Sequence, residues 1–220
     1  KQEGKTELDE RLLATPSIAL ERCHEVAADM AKTAVSALAD GLTSLHEYTP
    51  EFAETIRKEE DITDHYEDML GTYLVHLSSK QISEQDSTEA AKLLKIIGDF
   101  ERIADHGVNL LDSAEEMQEK NVALSETAKA ELKVITAAVR EILDLSLTAF
   151  LNDDIQAAKK VEPLEQVIDT LKEKLRTSHI LRMQQGRCSI DAGFIWSDVL
   201  TNLERTSDHC SNIAGCVIDI

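Results

Sequence analysis

Two copies of one acidic phrase occur in this chain of 220 residues, and their residue types and spacing suit a cation. The phrase reads E-R-x-x-D-H-x-x-N, first as Glu101-Arg-Ile-Ala-Asp105-His-Gly-Val-Asn109 and then as Glu204-Arg-Thr-Ser-Asp208-His-Cys-Ser-Asn212. Residues four apart in an α-helix lie about 40° apart around its axis, so the Glu and Asp of each copy share a face. Two carboxylates on one face repel each other, and a cation between them would remove that repulsion. Each copy is therefore half of a candidate cation site.

A second acidic pair precedes each copy at the same four-residue spacing. In a helical hairpin with equal arms, residues equally far from the turn lie at one level, and antiparallel helices pack roughly 8–10 Å apart. We therefore predict two groups of four metal ligands, which are Glu60, Asp64, Glu101 and Asp105 in one and Glu165, Asp169, Glu204 and Asp208 in the other. Carboxylate oxygens suit hard cations or iron or zinc clusters, and they do not distinguish these from magnesium, manganese or calcium.

Long helices must position these acids. Glycine and proline are scarce and aromatic residues make up 4% of the chain, which is typical of a helical protein. Apolar residues at helical spacing predict six helices, over about 16–45, 50–79, 87–119, 125–152, 155–186 and 190–220, with a kink or a late start of the fifth at Pro163. Phe194 and Trp196 are predicted core residues of the sixth helix.

The repeat of acidic pairs in register indicates a duplicated unit. We therefore predict an all-α fold, a tandem pair of antiparallel three-helix bundles. The predicted parts are a linker at 1–15, a first bundle at 16–119, a linker at 120–124 and a second bundle at 125–220.

Two residue types beside the acids leave their role open. His106 and His209 lie about 140° from the Glu of their own copy, which favours helix packing or support of a ligand over direct metal ligation. Asn109 and Asn212 lie one turn beyond the Asp on the same side. They would either orient carboxylates and water or form hydrogen bonds between helices.

Charge and motifs exclude several functions. The formal net charge is −19 and no basic stripe occurs, so nucleic acid is not an expected partner and cations are. A di-iron oxidase bundle needs two Glu-x-x-His motifs, and only Glu21-Arg-Cys-His24 fits. No Ser-His-Asp order and no phosphate-binding glycine loop occurs either. We expect a binding protein and not an enzyme.

The doubled motif resembles the PhoU family. The stretches His179-Ile-Leu-Arg-Met-Gln-Gln-Gly-Arg-Cys-Ser and Asn202-Leu-Glu-Arg-Thr-Ser-Asp-His-Cys-Ser-Asn-Ile-Ala are especially similar to it, and the resemblance covers residues 27–220. The opening segment, residues 8–20, is similar to the segment that follows the membrane domain in bacterial sodium/phosphate cotransporters. Such transporters often carry a PhoU-like domain at the cytoplasmic C-terminus.

The resemblance implies regulation of phosphate uptake and multinuclear metal sites, often iron or zinc, at the eight carboxylates. The first hypothesis is a regulatory domain of a sodium-dependent phosphate cotransporter at the cytoplasmic face of the membrane, with the membrane domain of the same polypeptide as partner. The alternative is a free-standing PhoU-like regulator that binds a transporter or a sensor kinase. A homodimer is a further expected assembly. Arg57 stands where the second repeat has Glu162, so the two sites are expected to differ in nuclearity or affinity.

Overall fold

The structure is a computed structural model that describes residues 8–219 of the chain. Within that range it contains a short 3-10 helix, six long α-helices and no β-strand, which confirms the all-α prediction. The 3-10 helix is Glu10–Ala14, and the α-helices are α1 (Pro16–His46), α2 (Pro50–Ser78), α3 (Glu84–Glu119), α4 (Glu126–Asn152), α5 (Ile155–Gln184) and α6 (Ile190–Ile218).

Side-chain caps fix where five of these helices begin. In each case an oxygen of the residue before the helix accepts a hydrogen bond from a backbone N–H in the first turn. The capping residues of α2 to α6 are, in order, Thr49, Ser83, Ser125, Asp154 and Ser189. These caps fix the first residues of α2 to α6, and the short connections before them set the register of the hairpins α2–α3 and α5–α6.

The helices form two three-helix bundles that pack against each other. Contacts join α1, α2 and α3 in the first bundle and α4, α5 and α6 in the second. Between the bundles α3 packs on α6 and α1 on α4. Buried apolar side chains from all six helices form one contiguous core, so the acidic hairpins α2–α3 and α5–α6 stand on a common support.

Three local predictions were wrong. Helix α3 begins at Glu84 rather than after Ser87, because Ser83 accepts a hydrogen bond from the backbone N–H of Asp86. Helix α5 does not start late at Pro163, since Asp154 caps a helix that runs through this proline from Ile155, and the alternative of a kink at Pro163 stays a prediction. Phe194 is not a core residue.

Phe194 is 68% exposed, whereas Trp196 is 2% exposed. The buried positions of α6 around them are Ala192, Gly193, Ile195, Trp196 and Val199, so Phe194 falls outside the buried stripe. An aromatic residue two positions away from a buried one points to a different side of the helix. The helical spacing of a residue therefore predicts its burial better than its aromatic character does.

Two glycines allow α1 and α3 to approach closely. A Cβ added at Gly41 would lie 2.8 Å from the carbonyl oxygen of Gly107, and one added at Gly107 would lie 2.8 Å from that of Ala37. No side chain carbon fits at such distances without moving a backbone. The corresponding position in the second repeat is Cys210, which is buried between α6 and its neighbours.

No helix within residues 8–219 is both long enough and apolar enough to cross a membrane. The predicted linker at 1–15 lies partly outside the described residues. Its described part includes the 3-10 helix, and the carbonyl oxygen of Asp9 accepts a hydrogen bond from Tyr73 at 2.9 Å. The division of the chain into domains at residues 120–124 stays a prediction.

Candidate metal centres

The hairpin α2–α3 brings the acids of the first repeat together. Oxygen atoms of Glu60, Glu101 and Asp105 lie within 4.8 Å of one another. Asp64 belongs to a second such group, together with Glu67 and Glu101. Glu101 is shared by both groups, so five carboxylates form one continuous patch. We call Glu60, Asp64, Glu67, Glu101 and Asp105 the first cluster.

Glu67 is a member of this cluster that the sequence prediction missed. It follows Glu60 by two helical turns, and residues at positions 0, 4 and 7 share one face of a helix. The spacing Glu60, Asp64, Glu67 was thus a visible signal. The repeat itself does not reveal Glu67, because the second repeat has no acid at the corresponding position.

The hairpin α5–α6 gathers the second set of acids in a different way. Oxygen atoms of Glu165, Asp169 and Asp208 lie within 4.8 Å of one another. Glu204, the counterpart of Glu101, is not part of that group and instead forms an ion pair with the ammonium of Lys172. We call Glu165, Asp169, Glu204 and Asp208 the second cluster. All eight predicted residues therefore lie in the two predicted places, and within residues 8–219 Glu204 is the one among them that forms an ion pair with a basic side chain.

Burial, together with the neighbouring acids, raises the pKa values of three members of the first cluster. Burial, and then the hydrogen bond and charge of Asp105, raise the pKa of Glu101 to about 8. Burial and the charge of Asp105 also raise the pKa of Glu60, and burial with the charges of Asp68 and Asp64 raises that of Glu67. In the absence of a metal, Glu101 therefore holds a proton near neutral pH.

The second cluster follows the same rule. Burial, and then Asp169 and Asp208, raise the pKa of Glu165 to about 7. Burial likewise raises the pKa of Asp208, with the charges of Glu204 and Asp169 adding to it against the hydrogen bond with Glu165. A cation would take the place of these protons, because a metal binds the ionised carboxylate and releases its proton.

One atom of the second cluster tests whether a metal fits. The Oδ1 atom of Asp169 is buried and has no hydrogen-bond partner in the described part of the chain. A buried carboxylate oxygen without a donor is costly, and a bound cation would satisfy it. The donor set in both clusters consists of oxygens only, which fits hard or borderline cations and disfavours soft ones.

The histidines and asparagines of the repeated phrase face away from the acids, into the contact between α3 and α6. The rings of His106 and His209 stack with their centroids 5.4 Å apart. Nδ1 of His106 donates to the side-chain oxygen of Asn202 at 2.8 Å, and Asn109 donates to the same oxygen at 3.1 Å. The structure thus supports the helix-packing alternative for His106 and the hydrogen-bonding alternative for Asn109.

The second repeat makes the matching contacts with Asp99 in place of Asn202. Nδ1 of His209 donates to Oδ1 of Asp99 at 3.0 Å, and Asn212 donates to that oxygen at 3.4 Å. Asp99 and Asn202 each precede the Glu of a repeat by two residues, and neither was predicted to matter. We call these two sets of contacts the inter-bundle network.

Arg57 lies apart from the first cluster. Its guanidinium pairs with Asp112 at 3.1 Å and with Glu115 at 3.0 Å, further along α3. The prediction that the two sites differ because of Arg57 and Glu162 therefore has no contact behind it. The difference that the structure reveals lies instead at Glu67 and Lys172.

Comparisons with known proteins agree with this arrangement. The family model described as the PhoU domain matches residues 27–114 and 132–217, one segment in each bundle. A Thermotoga maritima protein named phosphate-specific transport system accessory protein PhoU homolog 1 is 27% identical over 128 residues, which are 58% of this chain and 54% of that protein. The alignment thus spans about half the length of that relative.

Two further matches extend over most of the chain. A Clostridium acetobutylicum protein named phosphate-specific transport system accessory protein PhoU homolog is 23% identical over 201 residues, which are 90% of each chain. The crystal structure of the phosphate transport system regulatory protein PhoU from Streptococcus pneumoniae superposes with a TM-score of 0.79 at 18% identity, covering 92% of this chain and 95% of that one. The latter likeness establishes the fold.

Proposed function

The chain belongs to the PhoU family, and from that premise we propose that it is an accessory regulator of phosphate transport that binds metal ions at its two acidic clusters. The observation that supports metal binding is that each of the hairpins α2–α3 and α5–α6 brings at least three carboxylates within 4.8 Å of one another. The raised pKa of Glu101 and of Glu165 and the unpartnered Oδ1 of Asp169 support it. A bound cation would neutralise each cluster and link α2 to α3 or α5 to α6.

We favour a separate regulator over a domain of a sodium/phosphate cotransporter. The relatives from Thermotoga maritima and Clostridium acetobutylicum are named as accessory proteins of phosphate-specific transport systems. On this proposal the chain acts at the cytoplasmic face of the membrane, by contact with a transporter or a sensor kinase and not by catalysis. The genomic sequence upstream of residue 1 distinguishes the two hypotheses, because membrane spans in the same reading frame would support the cotransporter.

Elemental analysis tests metal binding directly. Protein purified without chelator should contain iron, zinc or manganese. A variant with Glu101→Gln, Asp105→Asn, Glu165→Gln and Asp208→Asn should lose most of it, because each substitution keeps the volume and removes the charge. Glu51→Gln, Glu54→Gln, Glu141→Gln and Asp144→Asn, four exposed positions on α2 and α4, together form the matched control. Equal metal content in the two variants would show that the clusters are not the ligands.

Phosphate uptake tests the regulatory part. In a host that lacks its own PhoU protein, we expect the chain to restore control of radiolabelled phosphate uptake and of phosphate-responsive gene expression. The four-residue variant should restore it less well. A chain that restores control with all four ligands replaced would separate regulation from metal binding and favour a purely structural bundle.

A further inference from the structure

One position of the duplicated hairpin carries opposite charges in the two bundles. Alignment of Glu60 with Glu165 places Glu67 opposite Lys172. Glu67 belongs to a group of oxygens within 4.8 Å that also includes Asp64 and Glu101. The corresponding residues of the second bundle are Asp169, Lys172 and Glu204, so an ammonium stands where the first bundle has a carboxylate.

The ammonium of Lys172 is placed to act as a cation within the second cluster. It pairs with Glu204, and the side chains of Lys172 and Glu204 are only 15% and 26% exposed. This burial strengthens the pair relative to an ion pair in open solvent. The same pair explains why Glu204 is absent from the group formed by Glu165, Asp169 and Asp208. A metal that used Glu204 would have to displace a lysine and leave its charge nearby.

We infer that Lys172 occupies the second of two cation positions in its cluster. On this inference, which rests on the proposed metal function, the first cluster binds metal at two positions and the second at one. The first position is Glu60 with Glu101 and Asp105. The other position is Asp64 with Glu67 and Glu101, and in the second bundle Lys172 takes the place of the metal. In the second bundle Lys172 pairs with Glu204, the counterpart of Glu101, and the one metal position is the group of Glu165, Asp169 and Asp208, to which Asp169 comes as the counterpart of Asp64.

Lys172 would make the two bundles respond differently to metal. The first bundle responds to metal at both positions, whereas half of the second cluster is held by the protein itself and needs no metal to be neutral. Metal depletion would therefore affect the contact between α2 and α3 more than that between α5 and α6. The duplicated domain would sense metal chiefly through its first half.

Reciprocal charge swaps test the inference, with Mn²⁺ as the probe because it takes oxygen ligands. The second cluster is isolated in a background of Glu101→Gln and Asp105→Asn, and Mn²⁺ binding is measured by isothermal titration calorimetry and by elemental analysis after dialysis. Adding Lys172→Glu should supply one more Mn²⁺ per chain or bind Mn²⁺ about tenfold more tightly, because a local repulsion becomes an attraction. Lys174→Glu, exposed on the same helix, makes the same change of net charge and should leave binding unchanged.

The opposite swap is made in a background of Glu165→Gln and Asp208→Asn. Glu67→Lys should remove one Mn²⁺ per chain from the first cluster, whereas Glu54→Lys on the same helix should not. Lys172→Gln removes the ammonium without adding a carboxylate, so it should raise the affinity for Mn²⁺ less than Lys172→Glu does. Circular dichroism of the metal-free variants checks that each variant keeps its helical fold.

The outcomes separate the inference from the function on which it rests. Mn²⁺ binding by the parent chain that Lys172→Glu alters no more than Lys174→Glu would overturn the inference and leave the metal function intact. A parent chain that binds neither Mn²⁺ nor the iron or zinc of the purified protein would overturn both. Equal Mn²⁺ stoichiometry in the two isolated clusters would also overturn the inference.

Discussion

The first and second bundles repeat one arrangement of helices, yet their acidic clusters balance charge differently. In the first, burial and then the neighbouring acid Asp105 raise the pKa of Glu101 to about 8. In the second, the counterpart Glu204 pairs with Lys172. The comparison indicates that the hairpin geometry fixes where the carboxylates meet, while a single side chain decides how much charge they leave uncompensated.

A second contrast lies on the opposite side of the same helices. Gly107 lets α3 approach the backbone of α1, whereas the matching Cys210 fills buried space in the second bundle. In the inter-bundle network, Asp99 and Asn202 accept matching hydrogen bonds with and without a negative charge. The comparison of Gly107 with Cys210 tests steric contact between helices. The comparison of Asp99 with Asn202 tests the effect of a charge on matching hydrogen bonds.

Gly107→Ala should have the largest effect on stability. The added Cβ would lie 2.8 Å from a backbone oxygen of α1, so the helices must separate, at a cost of about 2–3 kcal/mol in the free energy of unfolding. Cys210→Ala removes one buried sulfur at the matching position and should cost about 1 kcal/mol. Urea unfolding of both variants measures the difference, and equal losses would show that the two bundles are packed alike.

Asp99→Ala should destabilise the contact between bundles more than Asn202→Ala. Asp99 accepts hydrogen bonds as a carboxylate and is 13% exposed, so its loss should cost about 2 kcal/mol, against about 1 kcal/mol for the neutral amide. Asp99→Asn keeps the acceptor and makes the two halves alike, so it should cost less than either alanine variant. Thermal unfolding at constant ionic strength provides the measurement. An asparagine variant as unstable as Asp99→Ala would mean that charge, and not the hydrogen bonds, holds this contact.

The hairpins and the meeting of their acids were predictable from the sequence because both depend on spacing along single helices. Glu60 and Asp64 share a face by helical period alone, and the short connection to α3 sets Glu101 opposite them. The contacts between the two bundles could not be predicted in this way. Nothing in the spacing revealed that His106 would stack on His209, since that contact depends on how one bundle docks on the other.

Local signals that were present but outweighed account for the remaining errors. Ser83-Glu-Gln-Asp86 has the spacing of a helix cap, whereas the apolar pattern that predicts α3 begins only after it. Pro163 suggested a kink or a late start, whereas the cap at Asp154 gives α5 two turns before the proline. The repeated spacing of Glu and Asp gave no indication of Lys172, because Lys172 is a base. A residue that opposes a motif can be as informative as one that completes it.

The pH dependence of stability should show the smallest and most specific difference between the bundles. A carboxyl group whose folded pKa exceeds its ordinary value of 4.5 stabilises the fold fully below about pH 4.5, and this contribution is lost as the pH rises through the folded pKa. For Glu101 that loss extends to about pH 8, and for Glu165 to about pH 7. Metal-free protein should therefore lose stability between pH 5 and 8, by about 1 kcal/mol from each group because solvent screens these half-buried sites.

Substitution by glutamine assigns each part of that curve to one bundle. Glu101→Gln should flatten the melting temperature between about pH 7 and pH 8, because an amide has no proton to lose there. Glu165→Gln should leave that upper segment in place and flatten the curve mainly below it. Saturating Mn²⁺ should abolish the decline in the parent chain by replacing the protons. A decline between pH 7 and 8 that persists in Glu101→Gln would mean that the crowding of acids in the first cluster is not its source, and the proposed contrast with the second cluster would lose its electrostatic basis.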